Sequence, residues 1–268
     1  PSNLQTHHTV VLNGLADGTA YAFSVRATDP AGNLTIDDAG GLCYGFLTDP
    51  VPDSFTEEFG PFDMSGLRIT YTPNASPEAY EACTRPGDGT FPTSPTGGTP
   101  LPLSDDDAEL VLVGGGNTVM LYGVAYDRFY VGSNGYITFV TSDFDYTETL
   151  TDHFAMRRIS ANFDDYNPAA GGTVSYRRLA DRIAVTWNAV VEYGTSNPNS
   201  FQIELFYGGR IRVTYLAMSS TDGVAGLSEG LGLPVPFLES DLSAYTCEPN
   251  LKYAPYSGPV GNGGSRNP

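Results

Sequence analysis

The sequence predicts an all-β fold in which an incomplete small sandwich is followed by a larger antiparallel β-sandwich. Residues that form turns or pack on pleated sheets are abundant, with 31 Gly, 20 Pro, 17 Tyr and 14 Phe among 268 residues. Short segments that alternate apolar and polar residues follow one another from Phe129 to Tyr215, separated by Gly, Asn and Asp turns. An apolar fraction of 40 % argues against a disordered chain.

Residues 1–49 are predicted to contain three strands of the small sandwich, namely Thr9–Leu12, Tyr21–Ala27 and Leu42–Phe46. In the second of these, apolar residues occupy alternate positions, which indicates a strand with one buried face. Between the second and third strands, the stretch Asp29-Pro-Ala-Gly-Asn33 has the composition of a turn.

The motif Leu15-x-x-Gly18-Thr19-x-Tyr21, followed by residues 25–33, resembles the C-terminal half of a fibronectin type III domain. It is similar to the tyrosine corner of that family, whose hydroxyl bonds to the backbone upstream. The resemblance covers only the last three strands, which implies an open face and unpaired strand edges. Two explanations stay open. The chain starts with Pro1 and is expected to be a piece of a longer precursor, or another polypeptide adds the missing strands.

The proline-containing segment Thr48–Asp53 is predicted to be a short, stiff linker to a larger domain over residues 50–247. Ser54–Tyr80 is expected to supply the opening strands of that domain. The segments Ala108–Val113 and Thr118–Tyr122 are predicted to form a hairpin, because the intervening Gly-Gly-Gly-Asn adopts positive φ at little cost.

The remaining segments are less regular. Asp145–Met156 is expected to contain one helical turn, and Leu233–Tyr245 is expected to form a closing strand or a cap. Residues 248–268 contain few apolar residues and are predicted to be a flexible Pro/Gly-rich tail or linker.

The segment from Phe129 to Glu229 contains a series of short motifs, namely Tyr130-Val-Gly-Ser-Asn-Gly-Tyr-Ile-Thr-Phe139, Ile159-Ser-Ala-Asn-Phe-Asp-Asp165, Gly172-Thr-Val-Ser-Tyr176, Val185-Thr-Trp187, Asn199-Ser-Phe-Gln202, Gly209-Arg-Ile-Arg-Val-Thr-Tyr215 and Gly223-Val-Ala-Gly-Leu-Ser228. With these motifs in this order, the segment resembles the nidogen-type extracellular domain, abbreviated NIDO. Where that family tends to have Phe-Trp, this chain has Asn162-Phe163. The resemblance implies an antiparallel β-sandwich in an extracellular protein of adhesion or matrix, as in bacterial multidomain cell-surface proteins.

The net charge of −18 limits the classes of partner. An acidic surface repels phosphate backbones and anionic headgroups, which argues against nucleic acid and membrane surfaces. No apolar run reaches the roughly 18 residues that a membrane-spanning helix needs. The charge fits a secreted or cell-surface protein, with or without bound divalent cations.

Two groups of carboxylates are candidates for a calcium site. The first is Asp105-Asp106-Asp107, and the second is Asp164-Asp165. Ca²⁺ binds oxygen ligands from clustered loop carboxylates and carbonyls, although neither group matches an EF-hand loop. The alternative is that these carboxylates are solvated or bond to the backbone of turns.

The sequence predicts no catalytic site. Ser228 fits the pattern G-x-S-x-G but lacks the strand-to-helix context of a nucleophile elbow, so a Gly-rich turn is expected there. Nothing distinguishes Glu192 and Glu204 from other carboxylates as a glycosidase pair. The three histidines, His7, His8 and His153, are expected to be surface or core residues.

None of the three cysteines has the sequence spacing of a metal-binding pair or a CxxC redox motif. Cys83 comes near the start of the larger domain and Cys247 at its end, so a disulfide between them is expected to join its two ends. In the chain-entropy model, such a bond adds roughly 4 to 5 kcal/mol of stability. Cys43 would then be left for a partner outside this sequence.

The first interpretation is therefore a non-enzymatic structural or adhesion protein, secreted or on the cell surface, in a surface or fibrous assembly. Its partners are expected to be other extracellular chains, including copies of itself, and strand addition would complete the small sandwich. Two alternatives remain, namely an accessory module of a secreted hydrolase and a carbohydrate-binding β-sandwich that uses exposed Tyr and Trp faces.

Overall fold

The computed structural model describes residues 12, 15, 19–47, 55–74, 79–235, 237–245 and 247. These residues confirm the all-β prediction, with twenty strands, one short α-helix and one 3-10 turn. They fall into two compact units divided between residues 51 and 52. The smaller unit contains the described residues before that division, and the larger unit contains residues 55–247.

The smaller unit consists of two antiparallel two-stranded sheets. In one, β1 (Ala20–Phe23) pairs with β4 (Tyr44–Leu47), and in the other β2 (Val25–Thr28) pairs with β3 (Leu34–Asp37). The predicted strand Tyr21–Ala27 is therefore divided at Ser24, and β3 is an additional strand that the sequence analysis missed.

The turn between β2 and β3 forms around Asp29, as predicted. Oδ1 of Asp29 accepts hydrogen bonds from the backbone N of Ala31 and Asn33, at 2.9 and 2.8 Å. The side chain of Asn33 also donates from Nδ2 to Oδ2 of Asp29 at 2.6 Å, and this bond, followed by the bond from the N of Asn33, holds the pKa of Asp29 below its usual value. The first predicted strand, Thr9–Leu12, lies outside the described residues except for Leu12, and so does the predicted linker Thr48–Asp53.

The larger unit is a sandwich of two antiparallel sheets. Its six-stranded sheet is ordered β5-β20-β14-β13-β12-β9. Hairpin turns join β12 to β13, whereas β5 and β20 come from distant parts of the chain. The strands are β5 (Glu57–Phe59), β9 (Ala108–Leu112), β12 (Arg128–Gly132), β13 (Tyr136–Thr138), β14 (Arg157–Phe163) and β20 (Gly223–Glu229).

The second sheet has eight strands, ordered β7-β6-β19-β18-β17-β16-β8, with β15 paired to β17 beside that path. Two strands of this sheet, β6 and β7, confirm that the domain opens with strands. The strands are β6 (Leu67–Pro73), β7 (Tyr80–Pro86), β8 (Thr99–Leu101), β15 (Tyr166–Asn167), β16 (Thr173–Arg178), β17 (Arg182–Glu192), β18 (Pro198–Phe206) and β19 (Ile211–Tyr215).

The core lies between the two sheets because alternate side chains of each strand point inward. Trp187 in β17 is fully buried, stacks on Phe201 at a centroid distance of 5.1 Å, and packs in the same cluster as Phe129 of the opposite sheet. Its indole N donates to the carbonyl oxygens of Gly132 and Ser133, at 3.2 Å each. The NIDO-like motif at Val185-Thr-Trp187 therefore builds the centre of the sandwich.

The hairpin predicted between residues 108–113 and 118–122 is wrong in its pairing. The turn itself forms, with the N of Asn117 donating to the O of Gly114 at 3.1 Å. However, β9 pairs with β12, while β10 (Val119–Leu121) pairs with β11 (Val124–Tyr126) in a separate small sheet. One physical reason is that Arg178 donates to the carbonyl oxygens of Leu112 and Val113, where a hairpin partner would bind.

Within the described residues, each of the four outer strands of the two large sheets has a feature that hinders further strand pairing. Chain segments or an arginine bond to three of them, and β8 contains Pro100, which has no N–H to donate. The blocking bonds are N of Glu58 to Oε1 of Glu239 at 2.8 Å, N of Thr84 to O of Tyr245 at 2.7 Å, and Nη2 of Arg178 to O of Leu112 at 2.6 Å.

A short helix, α1 (Leu150–Ala155), packs on β14 and β20 at the outer face of the six-stranded sheet. This helix confirms the turn predicted within Asp145–Met156, and Thr149 caps it by accepting from the N of Asp152 at 3.0 Å. Beneath the same segment, Arg158 is buried in an ion pair with Asp143.

The end of the described chain forms a cap and not a strand. Residues 242–244 make a 3-10 turn, in which Asp241 accepts from the N of Ala244 at 3.1 Å. Leu242 is fully buried in the core of the sandwich. The segment predicted as a closing strand or cap over Leu233–Tyr245 is therefore a cap within its described residues, and residues 248–268 lie outside them.

Candidate functional site

Two acidic segments that are far apart in sequence end beside the turn between β12 and β13. Asp105–Asp107 precede β9, and Asp164–Asp165 follow β14. Because β12 pairs with β9 and β13 pairs with β14, the sheet places the β12–β13 turn between these two segments.

Asn134 in that turn connects both acidic segments. It is fully buried, and its Nδ2 donates to Oδ1 of Asp106 and to the carbonyl O of Asp145, at 3.0 Å each. Its Oδ1 accepts from the N of Tyr166 at 3.0 Å. Asn134 belongs to the NIDO-like motif at 130–139, so a residue of that motif positions the acidic loops.

Three carboxylates meet there as one group. Asp105, Asp106 and Asp165 each offer an oxygen, and these oxygens lie within 4.8 Å of one another. All three side chains are half-buried. The structure thus joins members of the two acidic groups that the sequence analysis treats as separate candidates, and we call this set the acidic cluster.

Asp107 and Asp164, the other two predicted ligands, are not part of the acidic cluster. The carboxylate of Asp107 accepts from the N and Oγ of Ser104, at 3.0 Å each. Asp164 is buried, and its Oδ2 accepts from the Oγ of Ser220 at 2.6 Å. Asp107 therefore bonds within its own turn, whereas Asp164 accepts from the N of Asp165 and also connects to the distant Ser220.

The environment of the acidic cluster disfavours negative charge. Burial raises the pKa of Asp165 to about 6, with further contributions from the charges of Asp106 and Asp105. Burial and then Asp106 also raise the pKa of Asp105. Desolvation and repulsion between like charges both act in this direction. A cation would offset both effects.

Oδ1 of Asp105 is buried and has no hydrogen-bond partner within the described residues. Buried carboxylate oxygens normally accept a hydrogen bond or bind a metal ion. The acidic cluster provides some of the roughly six to eight oxygen ligands that Ca²⁺ takes, and Mg²⁺ prefers the same oxygen donors.

A second acidic group was not found from the sequence. Glu57 on β5 lies near Asp63 and near Asp241 at the start of the 3-10 turn, with oxygens within 4.8 Å. Burial raises the pKa of Glu57 to about 7, although its Oε2 accepts from the N of Leu242 at 2.7 Å. No sequence signal identifies this group, because its members come from opposite ends of the domain.

Ser228, the residue with the hydrolase-like spacing, lies within strand β20 and is fully buried. Its Oγ donates to the carbonyl O of Met156 at 2.7 Å and accepts from the N of Gly230 at 3.0 Å. These bonds join two segments at the end of the strand. The predicted Gly-rich turn is wrong at Ser228 itself, since a turn follows the strand only at Gly230.

His153 on α1 is a buried core histidine, as expected. One ring nitrogen lies 3.0 Å from Oγ of Ser160 and the other lies 3.3 Å from Oγ1 of Thr56. Burial lowers the pKa of His153 to about 3, with a further contribution from the charge of Arg158. Its ring is therefore neutral near pH 7. His7 and His8 lie outside the described residues.

The carboxylates considered for glycosidase chemistry have other partners. Glu204 is fully buried, and Oε1 accepts from Nε of Arg182 at 2.9 Å while Oε2 accepts from Nε of Arg212 at 2.5 Å. Glu192, the last residue of β17, is half-buried and accepts from Nδ2 of Asn197 at 2.9 Å. The two residues serve structural contacts at different places in the larger sheet.

The predicted bond between Cys83 and Cys247 is present in the structure, with a Cα–Cα distance of 4.7 Å. It ties β7 to the segment after the 3-10 turn. Cys43 is exposed and is the free cysteine of the described part of the chain. Among the described helices, none has the length and apolar character required to cross a bilayer.

A family model described as NIDO related matches residues 79–253, which is more than half of the chain. The match includes both acidic segments, the β12–β13 turn and the disulfide. No curated protein and no solved structure matches the chain significantly.

Proposed function

The chain belongs to the NIDO-related family, and on that basis we propose that it is a non-enzymatic extracellular module with a structural or adhesive role. The family and the disulfide Cys83–Cys247 support a secreted or cell-surface location, because disulfides persist in oxidising compartments. The net charge of −18 supports a protein partner over nucleic acid or an anionic membrane.

One observation carries the proposal of an assembly, namely an aromatic face on the smaller unit. Tyr21 stacks on Phe46 at 5.6 Å and Phe23 stacks on Tyr44 at 5.4 Å, on one face of the β1–β4 sheet. Phe23 is 42 % exposed and Tyr44 is 38 % exposed. Contiguous exposed apolar surface of this kind is typical of a contact site.

The strand edges of the smaller unit support the same proposal. Each of its strands pairs with only one other described strand, whereas each outer strand of the larger unit carries a hydrogen bond or a proline that hinders pairing. A strand from another extracellular chain, including a copy of this one, would extend these small sheets and cover the aromatic face. The resemblance to the last strands of a fibronectin type III domain supports this form of completion.

Calcium is part of the proposal. The acidic cluster of Asp105, Asp106 and Asp165 would hold Ca²⁺ beside the β12–β13 turn. The ion would fix loops that Asn134 already connects, and it would therefore stabilise the larger unit without taking part in a reaction.

The assembly proposal is tested by sedimentation velocity and electron microscopy on the whole chain. We expect concentration-dependent oligomers or fibres, and we expect Phe23→Asp to abolish them because a charge on the aromatic face opposes docking. Phe144→Asp is the matched control, since Phe144 is 54 % exposed in the larger unit. A wild-type chain that remains monomeric at high concentration would rule out self-assembly.

A carbohydrate-binding sandwich is the second candidate. Tyr146 and Tyr193 are 53 % and 58 % exposed and offer aromatic faces. Trp187 does not contribute, because it is fully buried, which corrects the expectation of an exposed Trp face. Glycan binding that is lost in a Tyr146→Ala or Tyr193→Ala variant would favour this candidate. A hydrolase domain in the same reading frame would instead favour the accessory-module alternative.

A further inference from the structure

The outer face of the eight-stranded sheet collects arginines, although acidic residues outnumber basic ones by 31 to 13 in the chain. Core residues such as Ile69 and Val213 alternate with them along the strands and point inward. The outward positions include Arg68 on β6, Arg85 on β7 and Arg212 on β19.

These three arginines line one depression of about 310 Å³, together with Thr70 and Thr72. Arg68 and Arg85 are directly opposite each other on neighbouring antiparallel strands. Like charges at such positions destabilise a sheet. Two arginines are expected at directly opposite positions where a bound anion offsets the repulsion between their charges.

Two of the arginines have donors that the protein does not use. The side chain of Arg85 makes no hydrogen bond and no ion pair within the described residues. Nε of Arg68 is buried and has no hydrogen-bond partner among them. Arg68 forms an ion pair with Asp88, but Oδ1 of Asp88 lies 3.7 Å from Nη2 of Arg68, which exceeds hydrogen-bond length.

Arg212 is held in place through Nε, and its two terminal nitrogens are left to bind a ligand. Its Nε donates to Oε2 of Glu204 at 2.5 Å. The other oxygen of Glu204 accepts from Nε of Arg182 at 2.9 Å and from Oγ1 of Thr93 at 2.6 Å. Glu204 is thus fully engaged and buried, and the terminal nitrogens of Arg212 have no hydrogen-bond partner in the described part of the chain.

We propose that this depression, the arginine site, binds one carboxylate or sulfate group carried by an otherwise uncharged, saccharide-sized ligand. The planar guanidinium group matches the geometry of oxyanions and donates two parallel hydrogen bonds. The volume is at the lower end of that of small-ligand pockets, and the threonine hydroxyls suit sugar hydroxyls.

The ligand carries a single charged group because the rest of the protein is acidic. A net charge of −18 repels polyanions at long range, so only a compact anion gains from the local arginines. This inference goes beyond the proposed assembly function and concerns the larger unit.

The first test measures sulfate binding to the whole chain by calorimetric titration and by thermal melting. The ionic strength is kept constant with NaCl. We expect saturable binding, and we expect Arg85→Gln to weaken it about tenfold by removing a charge-assisted contact. Arg128→Gln is the control, because Arg128 is exposed on the other sheet and is paired with Asp127 at 2.9 Å. Sulfate stabilises proteins in general, and this effect cancels when the wild type, Arg85→Gln and Arg128→Gln are compared at the same sulfate concentration.

A second readout separates binding from a structural role. Without sulfate, Arg85→Gln should melt at or above the wild-type temperature, because it removes the repulsion from Arg68. A lower melting temperature in chloride together with unchanged sulfate affinity would assign Arg85 a structural role and overturn the proposal. Absence of saturable sulfate binding by the wild type would overturn it as well.

A competition experiment against bound sulfate identifies the class of ligand. Glucuronate should displace sulfate and glucose should not, since glucose has the size but lacks the charge. If sulfate binds and glucuronate does not displace it, the ligand is a sulfate ester and not a uronic acid. Equal binding of glucose and glucuronate, unchanged in Arg85→Gln, would contradict an oxyanion site.

Discussion

Nδ2 of Asn134 donates a hydrogen bond of 3.0 Å to Oδ1 of Asp106, which joins the β12–β13 turn to the loop before β9. Oδ1 of the same asparagine accepts from the N of Tyr166 at 3.0 Å, directly after Asp165. One buried amide therefore fixes the two acidic loops relative to each other. This arrangement gives the acidic cluster a defined geometry before any ion binds.

Calcium should stabilise the chain through the acidic cluster. If the dissociation constant is about 10⁻⁴ M, as in many extracellular sites, about 10 mM Ca²⁺ adds about 2.7 kcal/mol to the free energy of unfolding. Asp165→Asn should remove most of this gain, which is measured by urea unfolding in CaCl₂ and in chelator. Asp63→Asn, in the second acidic group, should retain it.

Two outcomes would refute calcium binding at the acidic cluster. One is identical unfolding of the wild type in calcium and in chelator. The other is loss of the calcium effect in Asp63→Asn but not in Asp165→Asn, which would move the site to the group that contains Glu57. Mg²⁺ at the same concentration is the comparison. Equal stabilisation by Mg²⁺ and Ca²⁺ would indicate general screening of carboxylates, and greater stabilisation by Ca²⁺ would indicate a calcium site.

Acid should destabilise the larger unit through His153. The folded-state pKa is about 3, below the unfolded value of about 6.5, so the unfolded chain binds more protons between these values. The stabilisation is fully present above pH 6.5 and is lost as pH falls toward 3. The full shift corresponds to roughly 4 to 5 kcal/mol.

His153→Gln should flatten this acid dependence, because glutamine does not titrate. The measurement is the difference in unfolding free energy between wild type and variant from pH 4 to 8. Taking the difference is necessary because Glu57 and Asp164, whose pKa values are raised to about 7, contribute with the opposite sign. A difference that stays constant over this range would show that His153 is not buried as a neutral ring.

The disulfide should be a main source of stability of the larger unit. Cys83 and Cys247 are separated by 164 residues, and closing such a loop contributes roughly 5 kcal/mol in the chain-entropy model. The variant Cys83→Ala/Cys247→Ala should therefore unfold at a much lower urea concentration. Cys43→Ser is the control and should be neutral, because Cys43 is exposed and unpaired in the described chain. Equal midpoints for the double variant and the control would refute this assignment.

Arg158 and Asp143 form a buried ion pair, and removing the Asp143 carboxylate should lower the free energy of unfolding more than replacing the Arg158 guanidinium with an apolar group. The guanidinium of Arg158 lies 4.3 Å from the ring centroid of Tyr136 and 4.6 Å from that of Phe163. Asp143→Ala leaves this buried cation unpaired and should cost about 3 to 5 kcal/mol.

Arg158→Met is the informative comparison, because Nε and Nη1 of Arg158 have no hydrogen-bond partner within the described residues. Methionine keeps the apolar packing against the rings and removes the desolvated charge, while Asp143 still accepts from the backbone N of Phe144 and Asp145, so the cost should be smaller than that of Asp143→Ala. The double variant Arg158→Met/Asp143→Ala should recover most of the stability that Asp143→Ala alone loses. Equal costs for the two single variants, measured by urea unfolding, would contradict this view.

The sequence predicted strands where local pattern and packing agree. The motif Val185-Thr-Trp187 alternates inward and outward residues, and it forms the centre of β17 as expected. Strand β3, at Leu34–Asp37, was missed although Leu34 and Ile36 alternate with polar residues, because four residues are too few for the alternation to be distinctive. Local pattern reports the faces of a strand but not its partner, which is why β9 and β10 were wrongly paired.

The candidate site was only partly predictable for a related reason. Both acidic groups were identified, but not that Asp165 joins Asp105 and Asp106, because that contact depends on the order of β9, β12, β13 and β14. The arginine site was missed entirely. Its members are separate single residues on three strands, and only the sheet register places Arg68 opposite Arg85.

Gly135 in the β12–β13 turn should be intolerant of any side chain. It has φ of +79°, and a Cβ there would lie 1.9 Å from the carbonyl O of Asn162. Gly123 is a matched control, with φ of +72° and no atom within 4 Å of its Cβ position. Gly123→Ala should cost about 1 kcal/mol for the left-handed conformation, whereas Gly135→Ala adds a backbone clash and should cost about 3 kcal/mol or more. Urea unfolding of both variants measures the difference, and similar midpoints would mean that the turn does not pack against β14 as described.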